Sequence, residues 1–288
     1  MVWYVSVSMA VIGTIIGSFI GAQIWRLRAR QLVEDAAAGE SVSAAELKRL
    51  RPLLKSTVRQ DRSRCLSCRH ELAWYDLLPV VGWLMVGGRC RYCRAPIGYM
   101  ELALEVGTGL LFGVATWRAL TMYSEQFLFA KVALLLAAMA CLVFLFAYDR
   151  RWFILPDVVN LPFIFLAAVL AALHLATGDA PGGFASLAGA VLILSGLYLV
   201  LYVMSKGQWI GFGDVKLNLG LALLLMDWRL AFLALFLANF LGTLLVLPGM
   251  LRGTLSRTTR VPFGPLLILG FLLAWLWGES VVAWFAIV

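Results

Sequence analysis

Nine stretches of ten or more residues contain no Asp, Glu, Lys or Arg: 1–25, 77–88, 106–117, 132–148, 158–178, 180–205, 217–226, 230–251 and 261–278. A helix needs about 20 mostly apolar residues to cross the hydrocarbon core of a bilayer. Six of the runs meet that length alone or nearly so. Runs 106–117 and 217–226 reach it only if Glu101 and Glu105 lie at the end of one and Asp214 and Lys216 at the mouth of the other. Run 77–88 is broken by Pro79, Gly82, Gly87 and Gly88 and reads as a loop at the membrane surface. The expectation is an all-α polytopic membrane protein with about eight transmembrane helices. Composition agrees: 62% of residues are hydrophobic and 14% charged, against roughly 45–50% and about 25% in soluble domains.

Basic residues set the orientation. Residues 26–97 hold 14 of the 24 Lys and Arg and carry +7 of the net +8. With this segment in the cytoplasm, the inside loops also collect Arg150, Arg151, Lys206, Lys216, Arg252, Arg257 and Arg260, 21 bases in all. Only Arg118, Lys131 and Arg229 fall outside. The N-terminus is then external, the first span is residues 1–25, the cytoplasmic loop is 26–97 and a seven-helix bundle fills 98–288. The first span lacks a basic leading region and a small-residue cleavage signature, so it reads as retained. Gly13, Gly17 and Gly21 mark one face of it for close helix packing. In the loop, Ser43 and Glu46 form a capping box opening a short polar helix through Leu54, broken by Pro52, which reads as a solvated spacer.

Cys65-x2-Cys68 and Cys90-x2-Cys93 stand 21 residues apart in that loop. Two such pairs are the spacing of a four-thiolate zinc site. Four protein ligands leave no open position, so the metal is expected to be structural. Redox thiols or an iron–sulfur site are the alternatives. Cys141 lies in an apolar run and reads as a packing residue. The arginines around the pairs are those of a cytoplasmic membrane loop and point to anionic lipid headgroups; no nucleic acid partner is expected.

Charged residues at membrane spans are functional suspects. Asp149 ends the third span, Asp214 begins the sixth within Gly211-Phe212-Gly213-Asp214, and Asp157 follows Pro156 at the start of the fourth. The even number of crossings puts Asp149 and Asp214 at one face of the membrane. Two carboxyls sharing a proton can hydrolyse a peptide bond: one takes a proton from water, the other protonates the carbonyl oxygen and then the leaving amine. The only histidines, His70 and His174, serve neither a serine triad nor a zinc protease motif. The competing readings are a proton-coupled transporter using Asp149 and Asp214, and a membrane scaffold with a zinc module.

Three segments resemble the type IV prepilin peptidase family of GxGD-type membrane aspartic proteases. They are Gly17-Ser18-Phe19 with Arg26-Leu27; the cysteine segment with Trp74 to Pro79, Gly88 to Ile97, and Glu105; and Asp149, Leu155-Pro156-Asp157 and Gly211 to Lys216. The resemblance implies removal of a basic leader from prepilins or pseudopilins at the cytoplasmic face of the bacterial inner membrane. It also implies methylation of the new N-terminus from S-adenosylmethionine. Asp149 and Asp214 would be the catalytic pair and the four cysteines the zinc ligands. Gly211, Gly213, Lys216, Asp157 and Glu105 would support them. Departures cluster in the segment linked to methyl transfer: Gly21 stands for the family's Asn, Leu66 for Pro, Asp76-Leu77-Leu78-Pro79 for Asp-Asn-Ile-Pro, and Met100-Glu101-Leu102 for Arg-Tyr-Pro.

Overall fold

A computed structural model describes residues 1–54, 62–254 and 261–287, with side chains described through Trp284. Lys55, Arg59, Arg257 and Arg260, assigned above to inside loops, lie outside the described residues. The chain divides into two compact units, Met1–Trp117 and Arg118–Val288.

In the first unit, α1 (Val2–Ala37) runs well past the apolar stretch that starts it. Close packing against α4 (Tyr99–Met122) explains two of its three spaced glycines. A Cβ on Gly13 would lie 2.7 Å from the Thr108 carbonyl oxygen, and one on Gly17 would lie 2.5 Å from that of Leu104. Both backbones must therefore meet without an intervening side chain. Gly109 reciprocates, facing Thr14 and the Ala10 carbonyl. Gly21 does not belong to this contact, since its Cβ would meet only Leu104 Cδ1, at 3.8 Å.

The spacer reading of the loop's first part is corrected by packing. Ser43 caps α2 (Ala44–Leu50) by accepting the Glu46 N–H, and a 3-10 turn at Arg51–Leu53, with Pro52 inside it, ends the segment. Leu50 is fully buried with Ala29 and Leu32 of α1, and Trp25, Leu47, Leu53 and Leu66 close the cluster. Arg28 and Glu46 pair at 3.0 Å beside it. The leucines at positions 47, 50, 53 and 54 form an apolar stripe at helical spacing, and burying it drives the fold-back. Residues 77–88 are half turn or bend and half helical, with the end of a 3-10 turn at Leu77 and one short helix, α3 (Val81–Met85).

The second unit holds α5 (Leu128–Trp152), α6 (Asp157–Thr177), α7 (Gly183–Val191), α8 (Leu197–Met204), α9 (Phe212–Leu225), α10 (Trp228–Leu251) and α11 (Gly264–Ile287). A π-helical segment, Leu192–Gly196, joins α7 to α8. α6 packs on α5 and α9, and α11 packs on α10, α5 and α9. α9 is apolar all round apart from Asp214, Lys216 and Asn218, and it is buried along most of its length, as expected of a central helix. The three bases assigned outside all have acidic partners: Arg118 with Glu279, Lys131 with Asp179 and Arg229 with Asp227.

Six helical segments are long and apolar enough to cross a membrane: Val2–Ala37, Leu128–Trp152, Asp157–Thr177, Gly183–Met204, Trp228–Leu251 and Gly264–Trp284. The two shorter runs also form helices, but these do not reach that standard. α4 carries Glu101, Glu105 and Arg118. The 14 residues of α9 rise about 21 Å, against about 30 Å of hydrocarbon. Among the described residues there is no strand, only the isolated bridges Arg64–Glu71 and Arg89–Pro96.

Candidate active site and metal centre

Asp149 sits in the last turn of α5, buried at 5% exposure. Its Oδ2 accepts the backbone N–H of Gly264, the first residue of α11, at 3.1 Å. The two residues are 115 positions apart in sequence. Asp214 lies in the first turn of α9, after Gly211 as N-cap, and its own N–H bonds the Gly211 carbonyl at 3.1 Å. A Cβ on Gly211 would sit 3.5 Å from Asp214 Oδ2, so this glycine leaves the carboxylate open on that side.

Leu155 joins the two halves of the site. It follows the left-handed cap Phe153 that ends α5. Its side chain fills the space that a Cβ would need at Gly213, 3.0 Å from Leu155 Cβ, and at Gly264, 3.4 Å from Leu155 Cδ2. The residue before Asp214 and the residue bonded to Asp149 thus rest on one side chain. The two aspartates are close enough for the charge of one to act on the other.

Lys216 Nζ reaches both Asp157 oxygens at 2.7 Å and lies 5.0 Å from the centre of the Phe212 ring. Asp157, though near in sequence to Asp149, is therefore the partner of Lys216. Several neighbours were not visible in the pattern of charges. The Asn160 amide donates to the Gly213 carbonyl at 3.1 Å. Ser195, in the π-helical segment, donates to the Val215 carbonyl at 3.1 Å. Tyr198, buried on α8, interacts electrostatically with Asp214 and lies 6.2 Å ring to ring from Phe263. The flanking prolines of Gly264, Pro262 and Pro265, are a helix-start signal that would have drawn attention to it. An asparagine in the charge-free run 158–178 is the corresponding signal for Asn160.

In the first unit the four cysteine sulfurs all lie within 4.8 Å of one another. Cys65 and Cys93 Sγ are 3.8 Å apart. Four sulfurs at Zn–S of about 2.3 Å in a tetrahedron are separated by about 3.8 Å, so the group fits one such ion. Two matching knuckles make the cluster. In each, the first cysteine N–H bonds the carbonyl five residues on (His70, Ala95), and the residue after the second cysteine (Arg69, Arg94) turns back to the first at positive φ. The Ala95 backbone N–H and the neighbouring thiols draw Cys93 down to about 7, against the opposing effect of desolvation. The His70 N–H pulls Cys68 the same way but is outweighed by desolvation and by Cys93 and Cys65, which push it up to about 11. Cys141 is half-buried in α5 and takes no part.

Glu105 does not stand among the aspartates' hydrogen-bond partners. Its Oε2 accepts the Val80 N–H at 2.6 Å. Val80 has φ 64° and ψ −52°, with the Val81 N–H on the Pro79 carbonyl at 2.6 Å. This is a three-residue turn that a β-branched residue adopts only under strain. Asp76 likewise ties the module together, accepting from Arg91 at 2.8 Å and from the Ala73 N–H and the Tyr92 hydroxyl at 3.3 Å.

Residues 11–119 match the model of the bacterial peptidase A24 N-terminal domain, and residues 136–247 match that of the type IV leader peptidase family. The chain is 32% identical over 231 residues to a prepilin leader peptidase/N-methyltransferase of Aeromonas hydrophila, covering 78% of this chain and 74% of that protein. It is 28% identical over 272 residues to a protein of the same description from Pseudomonas aeruginosa, covering 94% and 89%. A third, from Legionella pneumophila, is 25% identical over 290 residues, covering 98% and 95%. No solved structure matches. The transporter reading finds no support in these relatives. The matched N-terminal domain takes in all four cysteines, the second matched segment takes in Asp149, Asp157 and Asp214, and the chain belongs to the type IV leader peptidase family.

Proposed function

We propose that this chain is a multi-pass endopeptidase of the bacterial inner membrane. It cuts the basic leader from type IV prepilins or pseudopilins at the cytoplasmic face, with Asp149 and Asp214 as the catalytic pair. The observation that carries the reading is that Leu155 packs against both Gly213, the neighbour of Asp214 at the start of α9, and Gly264, which bonds Asp149 at the end of α5. The carboxyls share one proton. The ionised one takes a proton from water as the water attacks the scissile carbonyl; the other protonates the carbonyl oxygen and then the leaving amine. The pair acts as a unit, so neither aspartate is assigned one role. The Gly264 N–H holds Asp149 in place, Gly211 lets the extended substrate backbone approach Asp214, and Gly213 makes room for Leu155. Lys216, neutralised by Asp157, anchors the first turn of α9.

In this reading α4 and α9 complete eight spans, with the N-terminus outside and the cysteine module inside. α9 would cross a locally short path, surrounded by other helices rather than by lipid. Cys65, Cys68, Cys90 and Cys93 would hold one zinc ion, which supplies a structural cross-link with no open coordination position. The names of the relatives also support transfer of a methyl group to the new N-terminus, with S-adenosylmethionine as the donating co-substrate. The test is cleavage of a purified prepilin by the purified chain. Asp149→Asn and Asp214→Asn should each abolish cutting while thermal unfolding stays at the wild-type midpoint. Wild-type rates in either variant would overturn the assignment. Mass spectrometry of the mature N-terminus, with S-adenosylmethionine supplied, decides methylation.

A further inference from the structure

The first unit carries an apolar surface that its cysteine module does not explain. Residues 77–88 contain no charged side chain, and α3 lies within them. Val81, Leu84 and Met85 fall at the i, i+3, i+4 spacing of one helix face, and they are 50%, 60% and 65% exposed. On the other side Gly82 is buried, with the Asp76 carbonyl oxygen 2.7 Å from where its Cβ would stand. α3 therefore has an inner face on the module and an outer apolar face that no described residue covers.

Two contacts fix its height along the helices. The Val80 N–H, at the start of α3, donates to Glu105, whose Cα would stand 2.8 Å from a Cβ on Gly17. The Trp83 indole N–H donates to the Gly98 carbonyl at 3.0 Å, and its ring lies 5.6 Å from that of Tyr99. α3 thus occupies the height of the first two turns of α4, from Tyr99 to Glu105, about 9 Å along the axis. Arg26, the first charged residue of α1, comes about 13 Å beyond Gly17 along that helix. Phe19 of α1 and Val106 of α4 are exposed near the same height. The surface is apolar on three elements at once and continues the apolar length of α1, and the acyl chains of a bilayer are the occupant that covers all of it. The backbone suits that surrounding: the N–H groups of Val80, Gly82, Leu84, Gly87 and Gly88 are all bonded, to Glu105 or within the turn. We infer that α3 is an interfacial helix, sunk into the leaflet beside the cysteine module. Val81, Leu84 and Met85 then lie among lipid chains, and the exposed Arg89 and Arg94 that follow are left to the anionic headgroups. This is deeper than the surface loop expected from the sequence. It rests on the reading of α1 as a membrane span.

The test places the full chain in nanodiscs of phosphatidylethanolamine and phosphatidylglycerol, with photoreactive benzoylphenylalanine at one position at a time. The positions are Leu84, Met85, Val11 in the apolar run of α1, and Glu40 beyond the end of α1, all of them exposed on the protein. After irradiation, intact-mass spectrometry detects phospholipid adducts. Leu84 and Met85 should give them at a yield comparable to Val11, and Glu40 should give none. Adducts at Val11 with none at Leu84 and Met85 would overturn the inference. So would adducts from those two positions to a second copy of the chain, or to a prepilin supplied with it, in place of lipid. No adducts at Val11 either would overturn the membrane reading of α1, and the placement of α3 with it. Native Met85 supplies a second measurement that adds no bulky apolar probe. Chloramine-T, an anionic oxidant confined to water, should convert it to the sulfoxide several times more slowly in the nanodisc than in the urea-unfolded chain, although the protein alone leaves it largely exposed. Equal rates would overturn the placement.

Discussion

Gly264→Ala is the sharpest probe of the carboxylate pair. The added methyl would stand 2.8 Å from Asp149 Oδ2, 3.2 Å from its Cγ and 3.4 Å from Leu155 Cδ2. Comfortable contacts with carbon begin at about 3.5 Å, so the carboxylate must withdraw by roughly 0.5–1 Å. Misplacing a reacting group by about 1 Å costs on the order of a hundredfold in rate, about 2.7 kcal/mol of transition-state stabilisation. The obstacle is the tip of a side chain, and the backbone N–H that bonds Asp149 is kept. Folding should therefore suffer little, by less than about 1 kcal/mol in an otherwise unstrained helix start. The assay is initial-rate prepilin cleavage in detergent beside a thermal unfolding curve. The expected outcome is a fall in kcat of around two orders of magnitude with an unfolding midpoint within a few degrees of wild type. Gly107→Ala is the control: nothing lies within 4 Å of its would-be Cβ, so activity should hold and stability should be unchanged or up by about 0.4–1 kcal/mol. If Gly264→Ala cuts at the wild-type rate, Asp149 does not need the position that Gly264 gives it, and the site as drawn is wrong.

Zinc analysis of the purified chain should find about one ion per molecule, lost in Cys65→Ser or Cys90→Ser; full occupancy in a variant lacking both pairs would refute the assignment. Gly17→Ala should lower the unfolding midpoint by the equivalent of about 1–3 kcal/mol, because its methyl meets the Leu104 carbonyl; Gly21→Ala, with its nearest neighbour at 3.8 Å, should not. Burial opposes ionisation of Asp179, but hydrogen bonds from Lys131, Ser124 and Thr177 outweigh it and hold the carboxyl well below the usual carboxylate range. Lys131→Met should thus cost about 3–5 kcal/mol at neutral pH by leaving that charge unpaired. Asp179→Asn in the same chain should recover part of the loss, as read by the unfolding midpoint.

Much of the architecture was legible because its signals are local. Six charge-free runs correspond to six helical segments of spanning length and composition. The capping box at Ser43 and Glu46 opens a helix where expected. The two CxxC pairs bring their sulfurs together, since two intervening residues leave a knuckle little freedom. Other features depend on partners that a local pattern does not name. The polar-looking segment around α2 folds back because Leu50 finds Ala29 and Leu32. The third glycine of the α1 stripe looks like the other two and is buried, but its would-be Cβ meets only the tip of the Leu104 side chain, at 3.8 Å, and no backbone. The π-helical segment before α8 contains Ser195-Gly196, which weakens a helix without specifying a π turn; packing decides it, and the Ser195 hydroxyl reaches the Val215 carbonyl.

The residue list alone determined the membrane-embedded helical class, the four thiols and the aspartates worth suspecting, since each follows from the cost of moving charge into hydrocarbon or from spacing along a few residues. Only the packed molecule decided that Asp149 meets Gly264, that Leu155 wedges between the two halves of the site, that Asp157 belongs to Lys216 and that Glu105 restrains Val80. Those relations join groups distant along the chain. Their geometry depends on how close two helix backbones can come, which is a property of both surfaces at once.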